Sequence, residues 1–371
     1  MKSLPLITKG DLLPHHPDLL KDTRTGDGRQ RYCTYPFRLY GIASDIFKPC
    51  TWLRQIPGRS VLPVAESGGD LKEIWQSEVF DNVRRSIVEG EYHFCNLEYC
   101  PEYKGEQKYF FTLEELQAQY PAIADYVTGA TDAYTGGPEL VNIAYDTGCN
   151  LSCPSCNRHV LPKLPRAQVS SFATSLDQLS DDIFYIYLAG MGDPFGTPHY
   201  YDWFKTVDVS RYKKLREIIL NTNGLMWTEQ TWSAVPAATR AFVRTAIISI
   251  DGASAATYDV NRWPAKWDEL VENVGFISSL RRRDEIKMLR AYYVYQANNF
   301  HEMPAMVQFC RDNAFDAVFF ARIANWKSMP HREYEELDVV NPAHHAHQDY
   351  LRVAEQVAAL GDDRLQVVVM R

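Results

Sequence analysis

The sequence predicts an α/β protein built on a parallel sheet, and three observations carry that expectation. Six apolar, β-branched runs recur in the second half of the chain: "LVNIAY" (140–145), "IFYIYLA" (183–189), "EIILN" (217–221), "AIISI" (246–250), "RAYYVY" (290–295) and "AVFFA" (317–321). Stretches long enough for helices separate them, and "PAKWDELVENVGFISSLRRR" and "HEMPAMVQFCRDNAF" have helical spacing. The runs are nearly continuous in apolar character, as expected of parallel strands covered on both faces. Six such units are too few for a closed eight-stranded barrel, which leaves an open barrel or a doubly wound sheet.

A chain of 371 residues, 46% hydrophobic and 13% aromatic, can bury a large core and divide into domains. Residues 1–30 are polar and read as an arm. Residues 31–130 read as a small α+β domain, with a Gly/Ser-rich loop at "SGGD" and an amphipathic helix around "DLKEIWQSEVFDNVRRSIVEG" ended by Gly90. A Gly- and Pro-bearing linker, 129–140, leads into the βα array, 138–330, and residues 331–371 read as a helical extension closing on "RLQVVVM".

The balance of 39 basic against 47 acidic residues gives a net charge of −8, with no extended block of one sign, so a nucleic-acid partner is not expected. The opening "MKSLPLITKGDLLPHHPD" has too short an apolar run for a signal peptide or a membrane span, and a cytoplasmic location is expected. In a reducing compartment, eight cysteines point to metal before disulfides.

The most informative stretch is "DTGCNLSCPSCNR", where Cys149, Cys153 and Cys156 follow the first strand of the array at its carboxyl end. In parallel α/β folds that edge carries the chemistry. Thiolates suit zinc and iron-sulfur clusters, and closed sites of either kind usually take four protein ligands. Three local cysteines leave one position vacant. The residues alone allow a zinc site completed by His159 or a distant ligand, a redox pair in "CPSC", or a [4Fe-4S] cluster with one iron open to an external ligand.

The C-x3-C-x2-C loop after a first strand resembles the signature of the radical S-adenosylmethionine (radical SAM) superfamily. The resemblance implies a partial (β/α)6 barrel and a [4Fe-4S] cluster on Cys149, Cys153 and Cys156. SAM would chelate the open iron, and its reductive cleavage would give a 5′-deoxyadenosyl radical that abstracts hydrogen from a substrate. Further stretches fall where the family places its SAM contacts. "AGMGDPF" supplies Gly190, Gly192 and Asp193, and "LNTNG" supplies Asn223 beside Asn221, Thr222 and Gly224. "ISIDGASAATYDVNR" supplies Ser249, Asp251 and Arg262, the last suited to bidentate carboxylate recognition. "YVYQANNFHEMP" brings Gln296 with Asn298 or Asn299, and "FFARIANW" brings Arg322, Asn325 and Trp326 as substrate contacts.

Cys33, Cys50, Cys95 and Cys100, in "CTYPFRLYGIASDIFKPCTW" and "GEYHFCNLEYCPEY", resemble the SPASM/Twitch auxiliary-cluster domains of that superfamily, placed here before the barrel instead of after it. Four thiolates imply one auxiliary [4Fe-4S] cluster, with a structural zinc as the simpler occupant. Cys310 shares a helical stripe with Met303 and Met306 and is expected in the core, and His344, His345 and His347 of "HHAH" are expected at a solvated helix start.

The expected activity is therefore a radical SAM oxidoreductase, or a C–C or C–S bond-forming enzyme: a peptide maturase or a small-molecule dehydrogenase. It would act on a peptide or small molecule and draw electrons from a donor such as flavodoxin or ferredoxin. The rival is a non-catalytic, zinc-stabilised α/β binding scaffold.

Overall fold

In the computed structural model, which describes residues 20, 23–67, 69–97, 100–104, 108–156, 161, 164–165, 172, 175–325 and 328–370, all six apolar runs form strands. The chain divides into two compact units. One holds Met1–Asn142, Thr174–Phe184 and Tyr212–Lys214, and the other Ile143–Ala173, Tyr185–Arg211 and Leu215–Arg371.

In the first unit, β1 (Tyr32–Cys33) pairs antiparallel with β5 (Phe110–Phe111), bringing Cys33 opposite Phe110. β2 (Leu39–Ala43) and β3 (Ile46–Lys48) form a hairpin, and β4 (Leu62–Pro63) pairs with β3. The helix expected over 70–90 is two helices, α1 (Leu71–Trp75) and α2 (Glu78–Val88). Ser77 breaks it by taking extended backbone (ψ 152°) and accepting the Phe80 N–H as an N-cap, while Asp70 caps α1. Gly90, at φ +74°, ends the pair as expected. α3 (Leu113–Gln119) starts with a capping box from Thr112 and Glu115, and α4 (Pro121–Thr128) ends at Gly129 in the left-handed region. Arg84 of α2 is buried without a carboxylate partner in the described structure; it donates to the Trp75 and Pro36 carbonyls and stacks over Trp75 at 4.3 Å. Burial pulls its guanidinium down to about 10.

β6 (Leu140–Ala144) begins in the first unit and ends in the second. The second unit continues with β7 (Tyr185–Leu188), α5 (Pro198–Thr206), β8 (Glu217–Thr222), β9 (Val243–Ser249), α6 (Ala255–Asn261) and α7 (Trp267–Arg282). It closes with β10 (Met288–Tyr295), α8 (Met303–Asp312), β11 (Ala317–Arg322), α9 (His347–Ala358) and β12 (Gln366–Val369). From β7 to β12 every neighbouring pair is parallel and the strands stand in sequence order, with β6 next to β7. There is no switch point within this run, so it is singly wound and not doubly wound. The tail read as a helical extension also supplies a strand: "QVVV" pairs with β11.

The expectation of strands buried on both faces needs correcting. Burial alternates along β7, β8 and β10. Ile186, Leu188, Ile218, Leu220, Ala291 and Tyr293 are buried, and α7 and α8 carry buried apolar residues of their own, such as Leu270, Val274, Met306 and Val307. The opposite face, with Tyr187, Ile219, Ile247, Arg290, Tyr292 and Phe319, is only partly covered. Its residues are apolar or aromatic enough to make the runs look doubly buried.

Candidate active site

The thiol loop follows β6 and is held by bonds from three directions. The Asp146 carboxylate accepts the Gly148 N–H at 2.8 Å, and Tyr200 of α5 accepts the Asp146 N–H at 2.8 Å. Gly148 O accepts the Asp193 N–H at 3.0 Å, and Trp263 O accepts the Ser152 N–H at 2.7 Å. Gly192, at φ +71°, allows this closeness, because a Cβ there would stand 2.4 Å from Asp146 O and 2.5 Å from Gly148 O. Only glycine fits both the conformation and the space.

Cys149 and Cys156 are partly exposed and Cys153 is buried, and all three are free thiols. The Leu151 N–H points at Cys149 Sγ from 3.4 Å, and Asn223 Nδ2 donates to the same sulfur at 3.5 Å and to Asn150 Oδ1 at 2.8 Å. Burial pushes the Cys153 thiol up to about 11 against the pull of the neighbouring Arg262, with Asp251, Cys156 and Cys149 adding to the rise.

Asp193, expected from its motif as a SAM contact, is engaged within the protein. It is buried, and its oxygens accept the Phe195 N–H (3.0 Å), Gly196 N–H (2.9 Å), Thr222 hydroxyl (2.8 Å) and Asn223 N–H (2.8 Å). Burial raises its carboxyl even against these four donors. It fastens the loop after β7 to the end of β8, and so sets where Asn223 meets Cys149.

Asp251, just beyond β9, accepts the Val294 N–H at 2.8 Å and pairs with Arg262 Nη1 at 3.0 Å. Burial opposes the charge on Arg262, but Cys153 and Asp251 outweigh it and raise the guanidinium. Its Nε is buried with no hydrogen-bond partner, and so is Gln296 Oε1. Gln296 Nε2 donates to Asn261 Oδ1 at 2.9 Å and Asn298 Oδ1 at 3.0 Å. Asn261 and Asn299 both donate to Asp251 O, at 2.7 and 3.0 Å. Ser249 is half-buried at the end of β9, and Gly190 is exposed in the loop after β7.

Several supporting residues carry no sequence signal of their own. Tyr200, Asn261 and Glu302 are isolated residues without diagnostic spacing. Glu302 accepts the Ala253 N–H (2.7 Å) and the Ser254 (2.6 Å) and Thr257 hydroxyls, fixing the start of α6, at whose end Arg262 stands. Two other expectations take new roles. Arg322 forms a bidentate pair with Asp338, and His344 is buried with both ring nitrogens bonded to backbone, at Glu336 O and the Ala346 N–H. Asn325 donates to Met329 O at 3.3 Å, and Trp326 lies outside the described residues. Cys310 is a core residue, fully buried with Met306 Sδ 3.9 Å from its sulfur.

In the first unit, a bridge between Leu53 and Cys95, with the Arg54 N–H on Phe94 O and the Asn96 N–H on Trp52 O, draws the Cys50 and Cys95 segments together. Cys33, Cys50 and Cys95 are buried and Cys100 is partly exposed. Burial pushes Cys50 up to about 12 and lifts Cys33 and Cys95 well above the usual thiol value, and each of Cys33 and Cys95 also feels Cys50 and Cys100. Among the described residues, no three His, Cys, Asp or Glu side chains stand at metal-holding spacing in either unit.

The donor sets nevertheless suit the implied groups. Cys153 feels both Cys149 and Cys156, three soft donors of the type such a cluster would take, and the buried Arg262 Nε and Gln296 Oε1 are a donor and an acceptor left without a protein partner.

No family model and no curated protein matches this chain. Among solved structures it is similar to SuiB of Streptococcus suis, at 13% identity and TM-score 0.46, covering 89% of this chain and 72% of that one. It is also similar to anSMEcpe with bound AdoMet (14%, TM-score 0.40, 62% and 60%) and to TYW1 with a lysine-pyruvate adduct (11%, TM-score 0.40, 60% and 74%). These neighbours are radical SAM enzymes. Among the described residues no helix is long and apolar enough to cross a membrane.

Proposed function

We propose that the chain is a radical SAM enzyme, with Cys149, Cys153 and Cys156 holding a [4Fe-4S] cluster and Gly190, Gly192, Asn223, Ser249, Arg262 and Gln296 shaping the SAM site. The observation that carries this reading is the loop of three free thiols fixed at the strand ends, with Arg262 electrostatically coupled to Cys153 and still offering an unpartnered Nε. When bound by these thiols, the cluster would supply reductive cleavage of SAM, and with it the means to take hydrogen from a substrate.

The chain's own groups set the conditions. Asn223, donating to Cys149 Sγ, orients that thiolate and stabilises its charge, as donors to ligating sulfur do. Arg262, held by Asp251, presents a fixed guanidinium edge to a carboxylate. Gln296 Oε1 accepts from an amino or hydroxyl group. Asp193, Asp251 and Glu302 are positioning residues that keep these groups aligned.

In the first unit, Cys33, Cys50, Cys95 and Cys100 hold one auxiliary [4Fe-4S] cluster, which would accept an electron during net oxidation or C–C or C–S bond formation. The substrate is a peptide or small molecule, the reductant a flavodoxin- or ferredoxin-type donor, and the location the cytoplasm. Anaerobic reconstitution should give roughly eight irons and eight sulfides per chain. Adding SAM and dithionite should give 5′-deoxyadenosine, detected by mass spectrometry. Two zinc ions per chain with no cleavage would overturn the proposal.

A further inference from the structure

The partly covered face of the parallel sheet carries a guanidinium that no carboxylate of the described residues neutralises. Arg290 is the third residue of β10, its Nε buried without a hydrogen-bond partner and its guanidinium 5.8 Å from the Phe319 ring centroid. Among the described residues no carboxylate pairs with it. Three other arginines of this unit are neutralised: Arg262 by Asp251, Arg281 by Asp316 and Arg322 by Asp338. Keeping a guanidinium partly out of water without a counter-charge is costly, so an unpaired one on an inner face is a feature to explain.

Its position points the same way. Side chains alternate along a strand, so Arg290 shares its face with Tyr292. The strand register puts Arg290 in one row with Ile247 and Asn221, and Tyr292 in the next row with Ser249 and Phe319. Asn221 is two residues before Asn223, the donor to Cys149, so the Arg290 row lies roughly 7 Å along the strands from the Asn223 position that meets the thiol loop. Tyr292 is 37% exposed, which leaves this stretch of the face open. Tyr187 is raised mainly by burial, and it also feels Tyr292 and Arg290, although β8 and β9 lie between its strand and theirs. Two intervening strands put β7 and β10 roughly 14 Å apart in a flat sheet, so these side chains converge over a concave surface. Glu217, the acid of β8 on this face, lies four residues before Asn221, roughly 13 Å along the strand and away from the thiol loop. Asp193 and Asp251 are committed to the bonds described above.

We propose that this concave face is the substrate pocket of the radical SAM site, and that Arg290 binds a carboxylate of the substrate. The inference rests on the function proposed above and names its substrate class: a molecule with an acidic side chain or terminal carboxylate, whose body lies along Tyr292 and Tyr187 and whose reacting end points toward Ser249 and the thiol loop. The planar fork of arginine suits this recognition better than the point charge of lysine.

The test compares N-acetyl-L-glutamate with its neutral counterpart N-acetyl-L-glutamine. Binding to the full-length, anaerobically reconstituted chain with SAM is read by isothermal titration calorimetry. The acid should bind at least about tenfold more tightly than the amide, Arg290→Gln should abolish that preference, and Arg290→Lys should restore part of it. Equal or absent binding of the two probes to the unsubstituted chain would overturn the proposal, whether or not the variants fold. So would a folded Arg290→Gln protein that keeps the preference, or one that loses SAM affinity and leaves acetylglutamate binding unchanged, which would assign Arg290 to the cofactor. SAM cleavage is scored separately on the unsubstituted protein, so carboxylate selectivity without 5′-deoxyadenosine counts against the radical reading and not against the pocket.

Discussion

The two groups of cysteines differ in how they are held. The three thiols of the second unit sit on a loop whose position is fixed by its surroundings: Tyr200, Asp193, Asn223 and the chain after Arg262 all bond to the loop or fix the residues that do, while Cys149 and Cys156 remain partly exposed. Of the four in the first unit, three are buried, and burial lifts all of them away from the thiolate form. A thiol meant to present a metal to an incoming molecule needs outside support and an open side. One meant to enclose a metal can be sealed in the core, because the bound cation offsets the cost of burying the thiolates. Under the function proposed above, the difference would separate an open, working site from a closed one.

The strongest way to break that contrast is to remove each group in turn. Replacing Cys149, Cys153 and Cys156 together by Ala should reduce 5′-deoxyadenosine to background and leave about four irons per chain in the first unit. Replacing Cys33, Cys50, Cys95 and Cys100 by Ala should also remove about half of the iron, but cleavage of SAM should remain measurable and the melting temperature should fall. If both variants lost cleavage equally, the two sites would not differ in the way argued here.

A finer probe is Gly192→Ala, which forces a Cβ against Asp146 O and Gly148 O. It should cost about 3 kcal/mol in urea denaturation and lower SAM cleavage through displacement of the thiol loop. The smallest effect belongs to Cys310→Ala, which should lose about 1 kcal/mol to a small cavity and leave iron content and cleavage unchanged. A loss of iron there would show that this eighth cysteine is a ligand after all.

Much of the second unit was legible because long apolar runs and well-spaced helices leave few ways to fold. The Cys149 loop was legible because three thiols in eight positions have few uses. What escaped was whatever depends on geometry across strands. Tyr187, Ile219 and Phe319 read as buried because their chemistry is that of core residues, yet they line the less covered face. Asp193 stands in a recognisable motif, but nothing in the sequence shows that four donors already occupy its oxygens. Arg290 and Glu302 have no local pattern, and their significance comes only from what surrounds them in space. The break at Ser77 was missed because the apolar periodicity runs straight through it, and only the competing cap interrupts the helix.

The uneven covering of the strands also bears on how such a protein changes over time. Residues that anchor the scaffold and residues of the less covered face alternate along the same strands, one position apart. Every second side chain of the inner rows can therefore be exchanged without disturbing its neighbours in the core. With the pocket proposed above, a lineage could acquire new guests by altering Arg290 or Tyr292 while the strand ends stay as they are.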